Sequence, residues 1–135
     1  MFKFRTMKLN SPELATHLMK DNKEYITGFG SFLRKYSLDE IPQLLNIIRG
    51  DMTFIGPRPA LHNQDDLISI RNKYGIHKLK PGITGWAQIN GRDNLSIEDK
   101  VKLEYFYIEN KTIILDIKII ILTLFKVLRA KDIKH

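Results

Sequence analysis

The sequence predicts a helix-rich α+β fold: one compact domain of short helices with a small β-hairpin and an amphipathic C-terminal helical segment. Two observations support this prediction. Apolar residues recur at helical spacing in several short segments, and glycine, proline and asparagine separate those segments. The 135 residues suit a single core, so we assign residues 1–135 to one domain.

The first half of the chain is predicted to form two helices joined by a loop. Ser11 as N-cap and Pro12 at the first helical position predict a helix over residues 12–20. Residues 21–30 are polar and are predicted to form a loop. Residues 37–50 carry apolar side chains at helical spacing and end at a glycine, which predicts the second helix.

The second half is predicted to alternate extended and helical segments. Residues 52–55 are predicted to form a strand, and residues 61–73 and 97–107 to form helices. Residues 80–92 lie between a Pro-Gly and an Asn-Gly turn, so we expect this segment to be extended and to form the small hairpin.

The most apolar stretch covers residues 112–131. Asp116, Lys118 and Lys126 interrupt it, so it lacks the run of roughly 18 apolar residues that a membrane-spanning helix needs. Two interpretations remain open. The stretch is a helix buried in the core, or a helix that lies in a membrane interface with its lysines at the lipid headgroups.

The composition excludes several classes of site. The chain has no cysteine, which excludes disulfides, thiolate zinc sites and cysteine catalysis. Lysine and arginine number 22 against 15 acidic residues, and this excess favours nucleic acid, acidic lipid or a phosphorylated metabolite as partner. The sequence has no zinc-finger spacing, basic helical arm or aromatic RNA platform, so we expect no nucleic-acid partner.

The adjacent acids Asp39 and Glu40 are the first candidates for chemistry. Ser37 and Glu40 fit a capping box, in which the acids simply complement the start of a helix. The alternative is catalytic, because Pro42 fixes the chain direction and two fixed carboxylates can reach different atoms. One acid would then attack phosphorus or hold Mg²⁺ while its neighbour handles a proton.

Arg58 and the glycine-rich segment after it are candidates for phosphate binding. Pro57 and Pro59 restrict the backbone around Arg58, and a guanidinium suits paired phosphate oxygens; the alternative is an arginine in an ordinary surface turn. Within residues 80–92, glycines would let backbone N–H groups approach a ligand closely, or would merely allow a tight hairpin.

Five motifs occur in one order along nearly the whole chain. They are Lys-Phe-Arg-Thr-Met at 3–7, Leu-Arg-Lys-Tyr-Ser-Leu-Asp-Glu-Ile-Pro-Gln-Leu at 33–44, Arg-Gly-Asp-Met at 49–52, Gly-Pro-Arg-Pro at 56–59 and Lys-Pro-Gly-Ile-Thr-Gly-Trp-Ala-Gln-Ile-Asn-Gly-Arg at 80–92. This series closely resembles the bacterial sugar transferase family, the small monotopic phosphoglycosyl transferases.

The resemblance implies a reaction and a site. The reaction would transfer a sugar 1-phosphate from a UDP-sugar to undecaprenyl phosphate and release UMP, with Mg²⁺ as cofactor. Asp39 would be the nucleophile, would form an aspartyl-phosphosugar intermediate and would help to hold Mg²⁺. Glu40 would support Mg²⁺ binding or deprotonate the lipid phosphate. The residues expected to bind substrate are Lys3, Arg5, Arg34, Pro57, Arg58, Pro59, Gly82, Thr84, Gln88, Asn90, Gly91 and Arg92.

The resemblance also implies a location at the cytoplasmic face of a bacterial inner membrane. Family members usually carry a re-entrant membrane helix before the first motif, and this chain begins almost at that motif. We therefore expect the anchor to be absent and contact with the membrane surface to be peripheral. The alternative is a non-catalytic remnant that binds nucleotide-sugar or a membrane partner.

Overall fold

The computed structural model describes residues 1–12, 22–61, 64–91 and 95–129. Within these ranges, short 3-10 turns form at Asn22–Tyr25, Leu38–Glu40 and Ile76–Lys78. The helices and strands are α1 (Gly28–Lys35), α2 (Gln43–Ile48), β1 (Thr53–Ile55), α3 (Asp65–Lys73), β2 (Gly82–Thr84), α4 (Trp86–Asn90), α5 (Ile97–Asn110) and α6 (Ile113–Arg129). The predicted helix-rich α+β class is confirmed.

The two strands pair in parallel, with Thr53 opposite Gly82 and Ile55 opposite Thr84. A parallel pair needs a crossover connection, and the chain passes through α3 between the two strands. The predicted hairpin over residues 80–92 is therefore wrong. Its first half pairs with a distant strand, and its Asn-Gly dipeptide lies at the end of α4, where a glycine commonly follows a helix.

Glycines allow the two strands to approach closely. A Cβ atom at Gly82 would overlap the backbone nitrogen of Gly56, and a Cβ atom at Gly85 would overlap the Gly56 carbonyl oxygen. The sequence indicated close backbone approach to a ligand or a tight hairpin. In the structure, the space next to Gly82 and Gly85 is filled by the backbone of Gly56.

Two apolar clusters form the core. Their buried members are Leu67, Ile76 and Val101 in the first, and Ile89, Tyr107 and Ile119 in the second. Beside the first cluster's helices, Arg71 of α3 and Glu104 of α5 form a buried bidentate ion pair. Between α5 and α6, the Tyr107 hydroxyl donates to Asp116 Oδ1 at 2.7 Å. Burial raises the pKa of the Tyr107 phenol above its ordinary value, and the bond to the Asp116 carboxylate raises it further.

The boundaries of the early elements differ from the prediction. The helix predicted over residues 12–20 lies outside the described residues, apart from residue 12 itself. The loop predicted over residues 21–30 is wrong, because α1 already begins at Gly28. Thr27 caps this helix, since its side-chain oxygen accepts from the Gly30 N–H at 2.9 Å.

The later helices follow the prediction more closely. The helix expected over residues 61–73 begins at Asp65, and the helix expected over residues 97–107 continues to Asn110. The strand expected over residues 52–55 forms as β1.

The C-terminal segment forms α6, whose two faces differ. Ile119 is fully buried and α6 packs on α4 and the two strands, whereas Ile114 is 80% exposed. The helix is thus neither wholly buried nor detached, and an apolar face remains exposed. No helix within residues 1–12, 22–61, 64–91 and 95–129 is long and apolar enough to cross a membrane.

Candidate active site

Asp39 and Glu40 lie in the 3-10 turn that precedes α2. Both are buried, at 3% and 7% exposure. The N-terminal segment runs along this turn, because the Phe4 N–H donates to the Asp39 carbonyl oxygen at 3.0 Å. The Phe2 N–H donates to Oδ1 of Asn46 in α2 at 2.8 Å. These bonds hold the first residues of the chain against the acidic pair.

Two basic side chains offset the charge of the acids. Lys3 Nζ lies 2.8 Å from Asp39 Oδ2 and 3.9 Å from Glu40 Oε1. Arg58 Nη1 donates to the same Glu40 oxygen at 3.1 Å. Buried carboxylates need such partners, because removing an isolated charge from water is costly. The structure therefore brings Lys3, Asp39, Glu40 and Arg58 into one contiguous cluster.

Ser37 sets the direction of the acidic turn. Its backbone is left-handed, with φ of 54° and ψ of 24°, which costs a non-glycine residue roughly 1–2 kcal/mol. It lies directly after the C-terminal cap of α1, at the position where glycine is common. The capping-box interpretation of Ser37 and Glu40 is wrong, because the Ser37 side chain makes no capping hydrogen bond.

A pocket of about 300 Å³ opens beside Glu40 and Arg58. Thr84 at the end of β2 and Gln88 in α4 also line it. The other residues that line the pocket are Ser37, Ile41, Leu44, Phe54, Ile83, Ile89, Thr123, Lys126 and Val127. Glu40 thus reaches the pocket, whereas Asp39 is enclosed beside Lys3 with its side chain 4% exposed.

Gln88 brings an unpaired amide to this pocket. Its Nε2 and Oε1 atoms are buried and have no hydrogen-bond partner within the described structure. Leaving a buried polar group unpaired costs roughly 1–3 kcal/mol, so a polar ligand that reached this amide would gain affinity. Thr84 is already bonded, because its hydroxyl lies 2.7 Å from Thr123 Oγ1.

Three predicted binding residues make hydrogen bonds within the protein. The Arg5 guanidinium donates to the carbonyl oxygens of residues 7–9. Arg34 Nε donates to the buried Thr6 hydroxyl at 2.8 Å and ties α1 to the N-terminal segment. Asn90 is exposed, and its side chain donates to the carbonyl oxygen four residues earlier in α4.

The remaining predicted residues lie around the strand pair. Pro57 is buried, and its carbonyl oxygen accepts from the Gly82 N–H at 2.9 Å. Pro59 is half-buried. Gly91 follows the last residue of α4, and Arg92 lies outside the described residues.

α6 contributes Thr123 and Lys126 to the pocket, and neither residue was predicted from the sequence to belong to the site. One signal was present, since Lys126 interrupts an apolar stretch of the sequence. That signal does not say which distant residues the lysine meets, because the meeting depends on how α6 packs against β1 and β2.

The acidic pair fits a magnesium ion that shares its ligands with a substrate. Carboxylate oxygens are ligands that Mg²⁺ prefers, and Mg²⁺ sites commonly use one or two carboxylates plus substrate phosphates. Lys3 Nζ lies within 4.0 Å of both Asp39 and Glu40, so a positive charge is accommodated next to both acids. Within the described residues, no group of three or more histidine, cysteine or acidic residues could hold a metal ion. Further ligands would come from substrate and water.

Known proteins are similar to this chain over most or all of its length. The sequence model of the bacterial sugar transferase family matches residues 1–130. The chain is 42% identical over all of its residues to the uncharacterised sugar transferase EpsL of Bacillus subtilis (strain 168), and it covers 65% of that protein.

Two further relatives carry functional names. The chain is 41% identical to the UDP-glucose:undecaprenyl-phosphate glucose-1-phosphate transferase of Escherichia coli (strain K12), over 93% of this chain and 29% of that protein. It is 36% identical to the undecaprenyl-phosphate galactose phosphotransferase of Salmonella typhimurium (strain LT2), over 95% of this chain and 30% of that protein. The chain thus spans less than two thirds of the length of each relative described here. The family match and these identities show that the chain belongs to the bacterial sugar transferase family.

Proposed function

We propose that this chain transfers a sugar 1-phosphate from a UDP-sugar to undecaprenyl phosphate and releases UMP. The observation that carries the proposal is the buried pair Asp39 and Glu40, flanked by Lys3 and Arg58, of which Glu40 and Arg58 line a pocket. The names of the Escherichia coli and Salmonella relatives support the choice of undecaprenyl phosphate as acceptor. The name of the first also supports a UDP-sugar as donor.

In the first step, an oxygen of the Asp39 carboxylate attacks the phosphorus that bears the sugar. The bond from that phosphorus to the bridging oxygen of the diphosphate breaks, and UMP leaves with the bridging oxygen and its electron pair. The product is an acyl phosphate that joins Asp39 to the sugar phosphate. In the second step, a phosphate oxygen of undecaprenyl phosphate attacks the same phosphorus and the carboxylate of Asp39 is restored.

Lys3 has two roles in this scheme. In the structure it contacts Asp39 Oδ2, and its side chain is 29% exposed while that of Asp39 is 4% exposed. An arriving diphosphate competes for the ammonium, so Lys3 moves from the carboxylate to the substrate phosphate. That exchange frees the Asp39 oxygen for attack and reduces the repulsion between carboxylate and diphosphate.

Glu40 and Arg58 act on the pocket side of the site. Arg58 supplies a planar guanidinium that suits two phosphate oxygens, and Glu40 holds it through the 3.1 Å bond. Asp39 and Glu40 would hold Mg²⁺, which would offset negative charge on the diphosphate when bound. Glu40 also lies at the pocket, where it can take a proton from the incoming lipid phosphate.

The exposed apolar face of α6 supports a place at the membrane surface. Exposed apolar side chains of this face include Ile113, Ile117, Ile120, Leu124 and Leu128. Such a helix can lie along the headgroup region with its apolar side towards the acyl chains. The net charge of +7 favours an anionic surface, and we assign the chain to the cytoplasmic face of a bacterial inner membrane.

UMP release tests the proposal. The chain is incubated with Mg²⁺, undecaprenyl phosphate in lipid vesicles and a series of UDP-sugars. We expect UMP release with at least one sugar, its loss in Asp39→Asn, and normal release in Asp51→Asn. Asp51 is the matched control because it is a surface acid paired only with Arg49 among the described residues. A folded chain that releases no UMP with any sugar, or equal release from the Asp39 variant, would refute the proposal.

A further inference from the structure

The pocket beside Glu40 has mainly apolar walls. Its apolar lining residues are Ile41, Leu44, Phe54, Ile83, Ile89 and Val127. A UDP-sugar is polar along the diphosphate, the ribose and the sugar, so these walls suit little of that molecule. An apolar ligand gains about 25 cal/mol for each Å² of apolar surface that it buries. The walls therefore favour a hydrocarbon chain over the donor substrate.

The charged residues of the pocket lie beside the proposed site of reaction, where the phosphate of a lipid acceptor must bind. Arg58 and Glu40 line the pocket and belong to the cluster that they form with Lys3 and Asp39. Lys126 of α6 supplies a second cation at the lining. One pocket thus joins apolar walls to two basic side chains next to the site of reaction, and that combination is complementary to a lipid monophosphate.

The pocket also opens at apolar surface. Ile41, Leu44 and Phe54 line it and are 50%, 42% and 57% exposed. Leu45 and Ile48, on the same short helix as Leu44, are exposed as well. A hydrocarbon that leaves the pocket here meets exposed apolar side chains, as a long hydrocarbon requires.

We propose that this pocket binds the phosphate end of the polyprenyl acceptor, with the isoprene units nearest the phosphate between α2, β1 and α6. Arg58 and Lys126 bind its phosphate. The inference rests on the proposed function, because it assigns the acceptor's place in that reaction. At about 300 Å³ the pocket is near the lower end of ligand-sized cavities, roughly 300–1,000 Å³. It therefore holds only the first isoprene units, and the rest of the chain lies outside.

Binding of farnesyl phosphate, a short and soluble prenyl monophosphate, tests the apolar wall. Leu44→Trp places a larger side chain at the lining, and Ile114→Trp adds the same group at an exposed residue of α6 that does not line the pocket. We expect Leu44→Trp to raise the dissociation constant about tenfold and Ile114→Trp to leave it within about twofold. Equal effects of the two substitutions would overturn the inference.

A second pair of variants tests the phosphate end without crowding the pocket. Lys126→Met removes the cation at the lining, and Lys118→Met removes a cation from the same helix that lies over Trp86 instead. We expect Lys126→Met to raise the dissociation constant of farnesyl phosphate about fivefold and Lys118→Met to change it little. Neither substitution should change the binding of farnesol, which lacks the phosphate. Farnesol binding that equals farnesyl phosphate binding in the unmodified chain would contradict the assigned phosphate contact.

Comparing UMP release with farnesyl phosphate binding separates this inference from the proposed function, and UMP binding adds a third measurement. Failure of the proposed function appears as no UMP release, while farnesyl phosphate binding still depends on Leu44 and Lys126. If the inference fails, UMP release is normal and farnesyl phosphate binding is unchanged by substitution of Leu44 or Lys126. UMP binding weakened by Leu44→Trp, with farnesyl phosphate unaffected, would assign the pocket to the nucleotide and overturn the inference.

Discussion

The side chain of Lys3 lies 2.8 Å from that of Asp39, so the third residue of the chain completes a site built around residue 39. The backbone bond from Phe4 to Asp39 fixes this contact, because it holds the N-terminal segment beside the acidic turn. Lys3 also lies 3.9 Å from Glu40, and one ammonium therefore contacts both acids.

Replacing Lys3 by methionine should slow the reaction of Asp39 with the donor. The variant keeps much of the side-chain volume but lacks the charge that approaches Asp39 and then the diphosphate. We expect the rate of Asp39 loading to fall roughly 100-fold, the range seen when one charge-stabilising group is removed from an active site. Lys8→Met, at an exposed lysine five residues later, is the matched control and should react normally. Loss of rate in both variants would indicate a general effect of net charge.

Replacing Arg58 by lysine should reduce kcat/KM even though the charge is kept. A lysine lacks the planar fork that contacts Glu40 and suits paired phosphate oxygens. We expect a decrease of about 10- to 100-fold, measured with varied UDP-sugar concentration. Arg49→Lys should stay within about twofold, because Arg49 is an exposed residue whose ion pair lies at the surface. An unchanged kcat/KM in Arg58→Lys would remove this guanidinium from the mechanism.

Replacing Glu104 by glutamine should destabilise the fold. Glu104 and Arg71 are 4% and 8% exposed and form a bidentate ion pair, so the variant leaves a buried guanidinium without its counter-charge. We expect the free energy of unfolding to fall by about 3–5 kcal/mol, measured by urea denaturation. Glu98→Gln, at an exposed position of the same helix, should change it by less than about 0.5 kcal/mol. Similar values for the two variants would contradict the structural role of the pair.

Replacing Tyr107 by phenylalanine should remove a pH-dependent part of the stability. Burial and the bond to Asp116 raise the pKa of Tyr107 in the folded chain, whereas an unfolded tyrosine ionises near about pH 10. The native chain therefore holds this proton more tightly, so its contribution is complete below about pH 10 and decreases as the pH rises further.

Unfolding by urea at several pH values measures this contribution. Near pH 8 we expect Tyr107→Phe to be less stable by about 1.5–3 kcal/mol, because it lacks a hydrogen bond to a charged group. The difference between the unmodified chain and the variant should shrink above about pH 10. A difference that stays constant from pH 8 to pH 11 would contradict the raised pKa.

The fold was predictable where local sequence decides it. The helical spacing of residues 97–107 and the short apolar segment at residues 52–55 predict α5 and β1. The parallel pairing of β1 with β2 was not predictable in this way, because it joins segments on either side of α3. An Asn-Gly dipeptide also suits either a hairpin turn or the end of a helix, and only the packing of α4 selects the second.

The residues of the acidic cluster all lie in motifs that the sequence shows, but their contacts were not predicted. Asp39 and Glu40 are adjacent in sequence, whereas Lys3 and Arg58 come from two other motifs and contact the acids only through the fold. Arg34 carries the same charge but bonds to the Thr6 hydroxyl, and no local pattern separates these two uses of a basic residue.

The residues that α6 adds to the site were harder to predict. From the sequence, residues 112–131 could form either a helix buried in the core or a helix in a membrane interface. In the structure, α6 packs on the two strands, and this packing brings Lys126 to the pocket.

The mass of the intact chain after incubation with Mg²⁺ and UDP-sugars tests the central claim most directly. This step needs neither lipid nor membrane, because the proposed intermediate forms from the donor alone. We expect an increase by one sugar phosphate, located at Asp39 by peptide mapping, absent in Asp39→Asn and present in Asp51→Asn. An adduct at another residue, or turnover by a chain that never carries the adduct, would contradict Asp39 as the nucleophile.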